Sequence, residues 1–156
     1  MLESIYELKI TEGKIEDVLN SEKGSRVAGE VLYYLSLNWL NDNVTYAQDH
    51  LHPNNRFSQE PPIGISQEEW KKWRAVRNKL PNLRLLAGRD NSSKSDMRLI
   101  DYYHEMTAEQ KANFEKTAII PDNTSLEIED FDKFYEARKE VLRHQILNLL
   151  EAPMEY

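Results

Sequence analysis

The sequence predicts a mostly helical α+β fold with one small β element. Three observations lead there. Ser25–Leu40 and Glu129–Leu150 repeat apolar residues at the three- and four-residue spacing of amphipathic helices. Ser66-Gln67-Glu68-Glu69 and Thr107-Ala108-Glu109-Gln110 read as capping boxes, each opening a further helix. Only two short runs, Val44–His50 and Leu83–Leu86, read as strands.

In chain order, Leu2, Ile5, Tyr6 and Leu8 would face one side of a short helix, and Ile15, Val18 and Leu19 another, with Gly13 and Gly24 as punctuation. The helix at Ser25–Leu40 presents Val27, Val31, Leu32, Tyr34, Leu35 and Leu37 for burial, and Asn41-Asp42-Asn43 breaks it. Val44–His50 forms the first strand. Asn54–Ile65 is a loop, because Pro61, Pro62 and Gly64 exclude regular structure. The helix opened by Ser66 runs to about Lys79, with Trp70, Trp73, Val76 and Leu80 at helical spacing. Those tryptophans read first as core and only second as a surface for stacking bases. Pro81 ends the helix, Leu83–Leu86 forms the second strand, and Gly88-Arg89-Asp90 turns the chain. Asn91, Ser92 or Ser93 would cap a helix to Tyr103 or His104, with Met97, Ile100 and Tyr103 on one face. Thr107 opens a helix to about Lys116, and Ile119–Asp122 connects to the terminal helix. That helix carries a stripe including Phe131, Phe134, Tyr135, Arg138, Leu142 and Ile146.

With 156 residues, the chain is expected to form one domain: a helical lead-in at 1–43, a strand–insert–strand–helix unit at 44–104, and C-terminal helices at 105–156. It has no cysteine, which excludes a disulfide framework, a thiol nucleophile and a thiolate zinc site. A zinc site would need scattered histidines to converge, so no zinc is expected. No apolar run approaches the roughly 20 residues of a membrane helix, and no signal segment opens the chain. The expectation is a cytoplasmic protein with no membrane partner.

The net charge is −7 but unevenly spread. Trp70–Arg98 holds nine Lys or Arg (Lys71, Lys72, Arg74, Arg77, Lys79, Arg84, Arg89, Lys94, Arg98) against Asp90 and Asp96. The segment therefore carries +7 and the remainder −14. A local basic band can hold phosphate on an acidic protein, although a solvated basic helix reads the same way.

The chemistry gathers in Tyr46–Asp96. Asp49 and His50 stand together, Asn82 follows a Pro, and Asn91 precedes Lys94 by three residues. A carboxylate and an amide are oxygen donors suited to Mg2+, Mn2+ or Ca2+, and a neutral imidazole can take a proton from water. Singly, each has a plainer reading: an Asp-His pair in a turn, an Asn before a strand, an Asn-Ser-Ser helix cap.

Taken together and in order, Asp49-His50-Leu51-His52-Pro53, Asn82-Leu83-Arg84-Leu85-Leu86 and Asn91-Ser92-Ser93-Lys94-Ser95-Asp96 resemble the D-H-x-x-P, N-x-x-L-L and N-x-x-K-S-D series of HNH (ββα-metal) nucleases. They resemble the series in the C-terminal HNH-type domains of GmrSD-type bacterial restriction proteins. A similar series occurs in the HNH domain of RNA-guided CRISPR nucleases. The motif segment spans about a third of the chain.

The resemblance implies a ββα-metal unit with a long insert between its strands, and a metal-dependent DNA endonuclease serving defence against foreign DNA. It makes His50 the general base, and Asp49 and Asn91 the ligands of Mg2+ or Mn2+. Lys94 would contact phosphate, and Asn82 would hold the loop that carries the base. Cuts would leave 5′-phosphate and 3′-hydroxyl ends. Lys71, Lys72, Arg74, Arg77, Arg84, Arg89, Lys94 and Arg98 are the expected DNA contacts. His52 would sit behind the metal ligands or in the loop, and His104 and His144 would be structural or exposed. The chain lacks the nucleotide-hydrolysing region that precedes the HNH part in GmrSD-type proteins, and it has no GxxxxGK[ST] loop. It is expected either to stand alone or to be a C-terminal piece, with an NTPase domain or subunit as a possible partner. The competing expectation is a catalytically inactive nucleic-acid-binding or assembly module. An RNA-directed nuclease is a third.

Overall fold

The computed structural model describes residues 12–88 and 96–151. Its fold is α+β and mostly helical. The helices are α1 (Glu12–Leu19), α2 (Arg26–Leu35), α3 (Gln67–Val76), α4 (Leu99–His104), α5 (Ala108–Thr117) and α6 (Phe131–Glu151). The strands β1 (Tyr46–His50) and β2 (Leu83–Ala87) form an antiparallel two-stranded sheet. Short 3-10 turns occupy Asn54–Ser58, Leu80–Asn82 and Ile128–Asp130. Among the described residues no helix is long and apolar enough to cross a membrane.

Side-chain caps start the helices where the sequence places them. Ser25 Oγ accepts from Ala28 N at 3.2 Å, and Ser66 Oγ from Glu69 N at 3.1 Å. Thr107 and Gln110 exchange both bonds of a capping box, at 3.2 and 2.9 Å. Helix ends differ more. α2 stops at Leu35, five residues short of the expected end at Leu40. Ser36 is buried there as the C-cap, and the chain turns so that the Trp39 ring meets Tyr46 edge-on at 6.2 Å. α3 ends at Val76, which frees 77–79 for a turn. α4 begins at Leu99, so the expected continuous helix from Asn91–Ser93 is corrected: 96–98 are not helical. Asp96 Oδ1 accepts from Asn55 Nδ2 at 3.2 Å, Arg98 is extended, and Leu99 is buried. The expected face of Leu2, Ile5, Tyr6 and Leu8 and the expected caps Asn91, Ser92 and Ser93 lie outside the described residues.

The 21-residue α6 is about 31 Å long, at 1.5 Å per residue, and it supplies every part of the core. Leu142 and Ile146 meet α1, α2 and Leu83. Phe134 meets Leu51, Leu99 and Phe114. Phe131 and Tyr135 meet Phe57, Trp70 and Trp73. Trp70 and Trp73 are thus core, with Trp70 stacked on Phe57 at 5.2 Å.

Arg138, midway along α6, is fully buried. It donates to Leu80 O and Pro81 O through Nη1 (3.1 and 2.9 Å), to Ala118 O through Nη2 (3.1 Å) and to Ile119 O through Nε (3.2 Å). Burial pushes its guanidinium down to about 9, with repulsion from Arg84 adding to the effect, so it is still charged at neutral pH. Two of these carbonyls belong to a Schellman end of α5, where Ile120 N meets Glu115 O and Ile119 N meets Lys116 O. Ile119 sits at φ 56°, a left-handed position that costs a non-glycine residue about 1–2 kcal/mol. The Arg138 bonds to Ala118 and Ile119 help hold that conformation.

Candidate active site

β1 and β2 pair Asp49 with Arg84 and His50 with Leu83. Directly opposed residues share a face, and successive residues alternate. His50, Gln48, Leu83 and Leu85 therefore face the α1–α2–α6 core, where Leu83 and Leu85 are packed. Asp49 and Arg84 face the other way, where the Arg84 guanidinium lies over the rings of Phe114 (5.1 Å) and Tyr102 (5.5 Å). The two neighbouring site residues thus leave opposite faces of the strand.

Asn82 is fully buried directly before β2. Its Oδ1 accepts from His52 N at 2.9 Å, and its Nδ2 donates to His52 O at 3.1 Å. The same Nδ2 donates to Arg77 O at 2.9 Å, and Leu51 N donates to Asn82 O at 2.8 Å. One amide side chain satisfies both backbone groups of the residue two past His50. Two segments thirty residues apart in sequence are fixed together at the end of β1.

His50 is half-buried, and its Nε2 lies 2.7 Å from Asn78 Oδ1. Sequence reasoning missed Asn78, since an Asn before Lys-Leu-Pro looks like any turn residue. Asp49 is buried, 9% exposed. His52 is buried too, its ring meeting Phe134 at 4.8 Å and Phe131 at 5.4 Å edge-on. It is part of the aromatic core. His104 and His144 are exposed.

The expected basic band divides. Lys71, Lys72, Arg74 and Arg98 are exposed and Arg77 is half-buried. Arg74 Nε donates to Phe57 O at 2.8 Å, and Arg77 Nε to Asn54 Oδ1 at 2.7 Å, beside a groove of about 320 Å3. Arg98 is held by Asp101 at 2.6 Å. Arg84 is corrected: at 6% exposed beneath Tyr102 and Phe114, it packs the sheet against α4 and α5 and is no part of a surface band. Its Nε is buried without a hydrogen-bond partner among the described residues, the face of the guanidinium being used against the rings. Asn91, Lys94 and Arg89 lie outside the described residues. The structure therefore places Asn82 against the backbone just past His50, sets Asp49 and His50 on opposite faces of β1, and describes only one of the two expected metal ligands.

No family model matches the chain, and no curated protein sequence matches it.

Proposed function

We propose that this chain is an HNH-type (ββα-metal) endonuclease domain. It hydrolyses phosphodiester bonds of DNA with a His general base and one divalent cation, in a restriction-type defence against foreign DNA. The observation that carries the reading is the Asn82 clamp. The resemblance assigns the middle Asn to holding the loop behind the base, and Asn82 binds both backbone groups of His52.

His50 takes a proton from water as the water oxygen bonds to phosphorus; the bond to the 3′ oxygen breaks with its electron pair going to that oxygen, which takes a proton from solvent, leaving 5′-phosphate and 3′-hydroxyl ends. Because Asp49 and His50 diverge, both reach one phosphodiester only around the end of β1, and His50 is its last residue. The Asp49 carboxylate is a hard oxygen donor of the type that Mg2+ or Mn2+ takes, with Asn91 as the second ligand that the resemblance implies. The ion, when bound, would neutralise charge on the phosphoryl oxygens. Lys94 would meet a phosphate oxygen. Lys71, Lys72, Arg74, Arg77, Arg89 and Arg98 would line the DNA path, Arg84 being withdrawn from that set. A nucleotide-hydrolysing domain or subunit is the further partner, and the cytoplasm the compartment.

The second reading is a module that binds DNA or assembles without cutting, and the divergence of Asp49 and His50 favours it. Plasmid nicking in Mg2+ or Mn2+, beside an EDTA control and His50→Ala, separates the two. Cutting that needs both the metal and His50 is expected. Binding without cutting, unchanged by His50→Ala, would favour the second reading.

A further inference from the structure

We infer that Asn78 is the positioning residue of the base: its side-chain oxygen holds the His50 ring in the Nε2–H form, so that Nδ1 is the nitrogen that takes the proton. The inference rests on the nuclease reading only for what the proton transfer achieves; the ring contact stands on geometry. Asn78 Oδ1 is an acceptor with no hydrogen to give, and it lies 2.7 Å from His50 Nε2, so Nε2 donates. A neutral imidazole carries one ring hydrogen, and fixing it on Nε2 leaves the lone pair on Nδ1.

The turn that presents Asn78 is tied down on both sides. Asn78 O accepts from Lys23 N at 2.7 Å, Leu80 N donates to Ser21 O at 2.9 Å, and Lys79 N donates to Val76 O at 3.0 Å. Arg77 O takes Asn82 Nδ2, and Arg138 takes Leu80 O and Pro81 O. An acceptor on so constrained a backbone sets the ring's rotation as well as its tautomer. Two amides from one turn thus have complementary roles. Asn82 fixes the backbone just past the base, and Asn78 fixes the base's ring. In the proton transfer the water O–H bond breaks, its proton goes to Nδ1, and its electron pair forms the new P–O bond as the bond from phosphorus to the 3′ oxygen breaks. Nε2 keeps its hydrogen throughout, donating it to Asn78 Oδ1.

The test is ring-nitrogen NMR on the full 15N-labelled chain, whose four histidines are told apart by His50→Gln. For neutral His50 the expected result is a protonated Nε2 and an unprotonated Nδ1. Asn78→Ala should lose the protected Nε2–H signal, and Asn78→Asp, which keeps an oxygen in place, should retain it. In plasmid nicking, Asn78→Ala should lower kcat roughly ten- to a hundredfold, a fraction of the roughly hundred- to ten-thousandfold that general-base catalysis contributes, because His50 itself remains. KM for DNA should stay within about twofold. A wild-type ring protonated on Nδ1, or an Asn78→Ala ring signature identical to wild type, overturns the inference. A chain with the expected ring signature that cuts no DNA keeps the Asn78 contact and removes the nuclease reading instead.

Discussion

Replacing Arg138 by Met removes the guanidinium while keeping the length of the side chain. Four hydrogen bonds are lost, to Leu80, Pro81, Ala118 and Ile119. Hydrogen bonds to a charged group contribute about 1.5–3 kcal/mol each, so the gross loss is about 6–12 kcal/mol. Against it stands the desolvation of a fully buried cation, several kcal/mol that Met does not incur. The net expectation is a loss of about 3–5 kcal/mol, the range for removing one partner of a buried charged network. For a chain of this size that is a fall in Tm of roughly 6–20 °C. Urea unfolding followed by far-UV circular dichroism measures it, with an unchanged m-value showing that the denatured state is not responsible. Arg138→Lys, whose ammonium cannot span both pairs of carbonyls, should fall between Met and wild type. A loss below about 1 kcal/mol for Arg138→Met would refute the reasoning, because it would mean that desolvation cancels the network and the four carbonyls are satisfied without it.

Asn82→Ala should cost about 2–4 kcal/mol, since it strands the buried His52 N–H and breaks two further bonds, and should abolish nicking; urea midpoints and plasmid assays measure the two effects. His52→Leu should lower stability by about 1–2 kcal/mol through lost ring packing yet leave nicking in Mg2+ intact, whereas a metal-ligand role would show as lost cutting rescued by excess ion. Glu16, on α1, is bonded to Arg143 and Lys139 of α6, and the Arg143 bond holds its carboxyl below the usual range. A depressed carboxyl stabilises the fold above its unfolded value near 4.5, and the effect fades as pH falls through the folded value. Glu16→Gln should therefore cost under about 1 kcal/mol at pH 7, the site being partly open to solvent, and the gap to wild type should close in acid.

The sequence disclosed whatever rests on local pattern. The caps Ser25, Ser66 and Thr107 are legible because each side chain bonds its own helix within three residues. β1 and β2 appear within two residues of their expected bounds, since Asn41–Asn43 and Pro81 mark where regular structure stops. What was illegible depends on partners distant in sequence. Arg84 counts as a surface cation until Tyr102 and Phe114, from α4 and α5, are seen to cover it. Arg138 reads as the polar edge of a helix stripe, and nothing local shows that four carbonyls meet there. α2 ends early at a buried Ser36, and beyond it Trp39 meets Tyr46, a contact that helix propensity does not register. At the site, Asp49, His50 and Asn82 were legible as a motif series. The divergence of the first two was not, although it follows from the strand's alternation once the register is known.

The turn at 77–82 joins the stability of the molecule to the geometry of its candidate site. Its carbonyls at 80 and 81 are held by Arg138 from α6, and its side chains at 78 and 82 hold His50 and the backbone of His52. The first set of bonds determines where the second set points. A mutation at Arg138 is remote from His50 in sequence, yet it frees the backbone that holds the His50 ring. Sites that share a backbone segment do not add independently. In a double-mutant cycle on folding stability, Arg138→Met and Asn82→Ala should therefore lose less together than the sum of each alone, by about 0.5–3 kcal/mol, because either one already loosens the turn that the other restrains. Simple additivity would mean that the turn keeps its shape without α6, and that its six residues alone are enough to place the His50 ring.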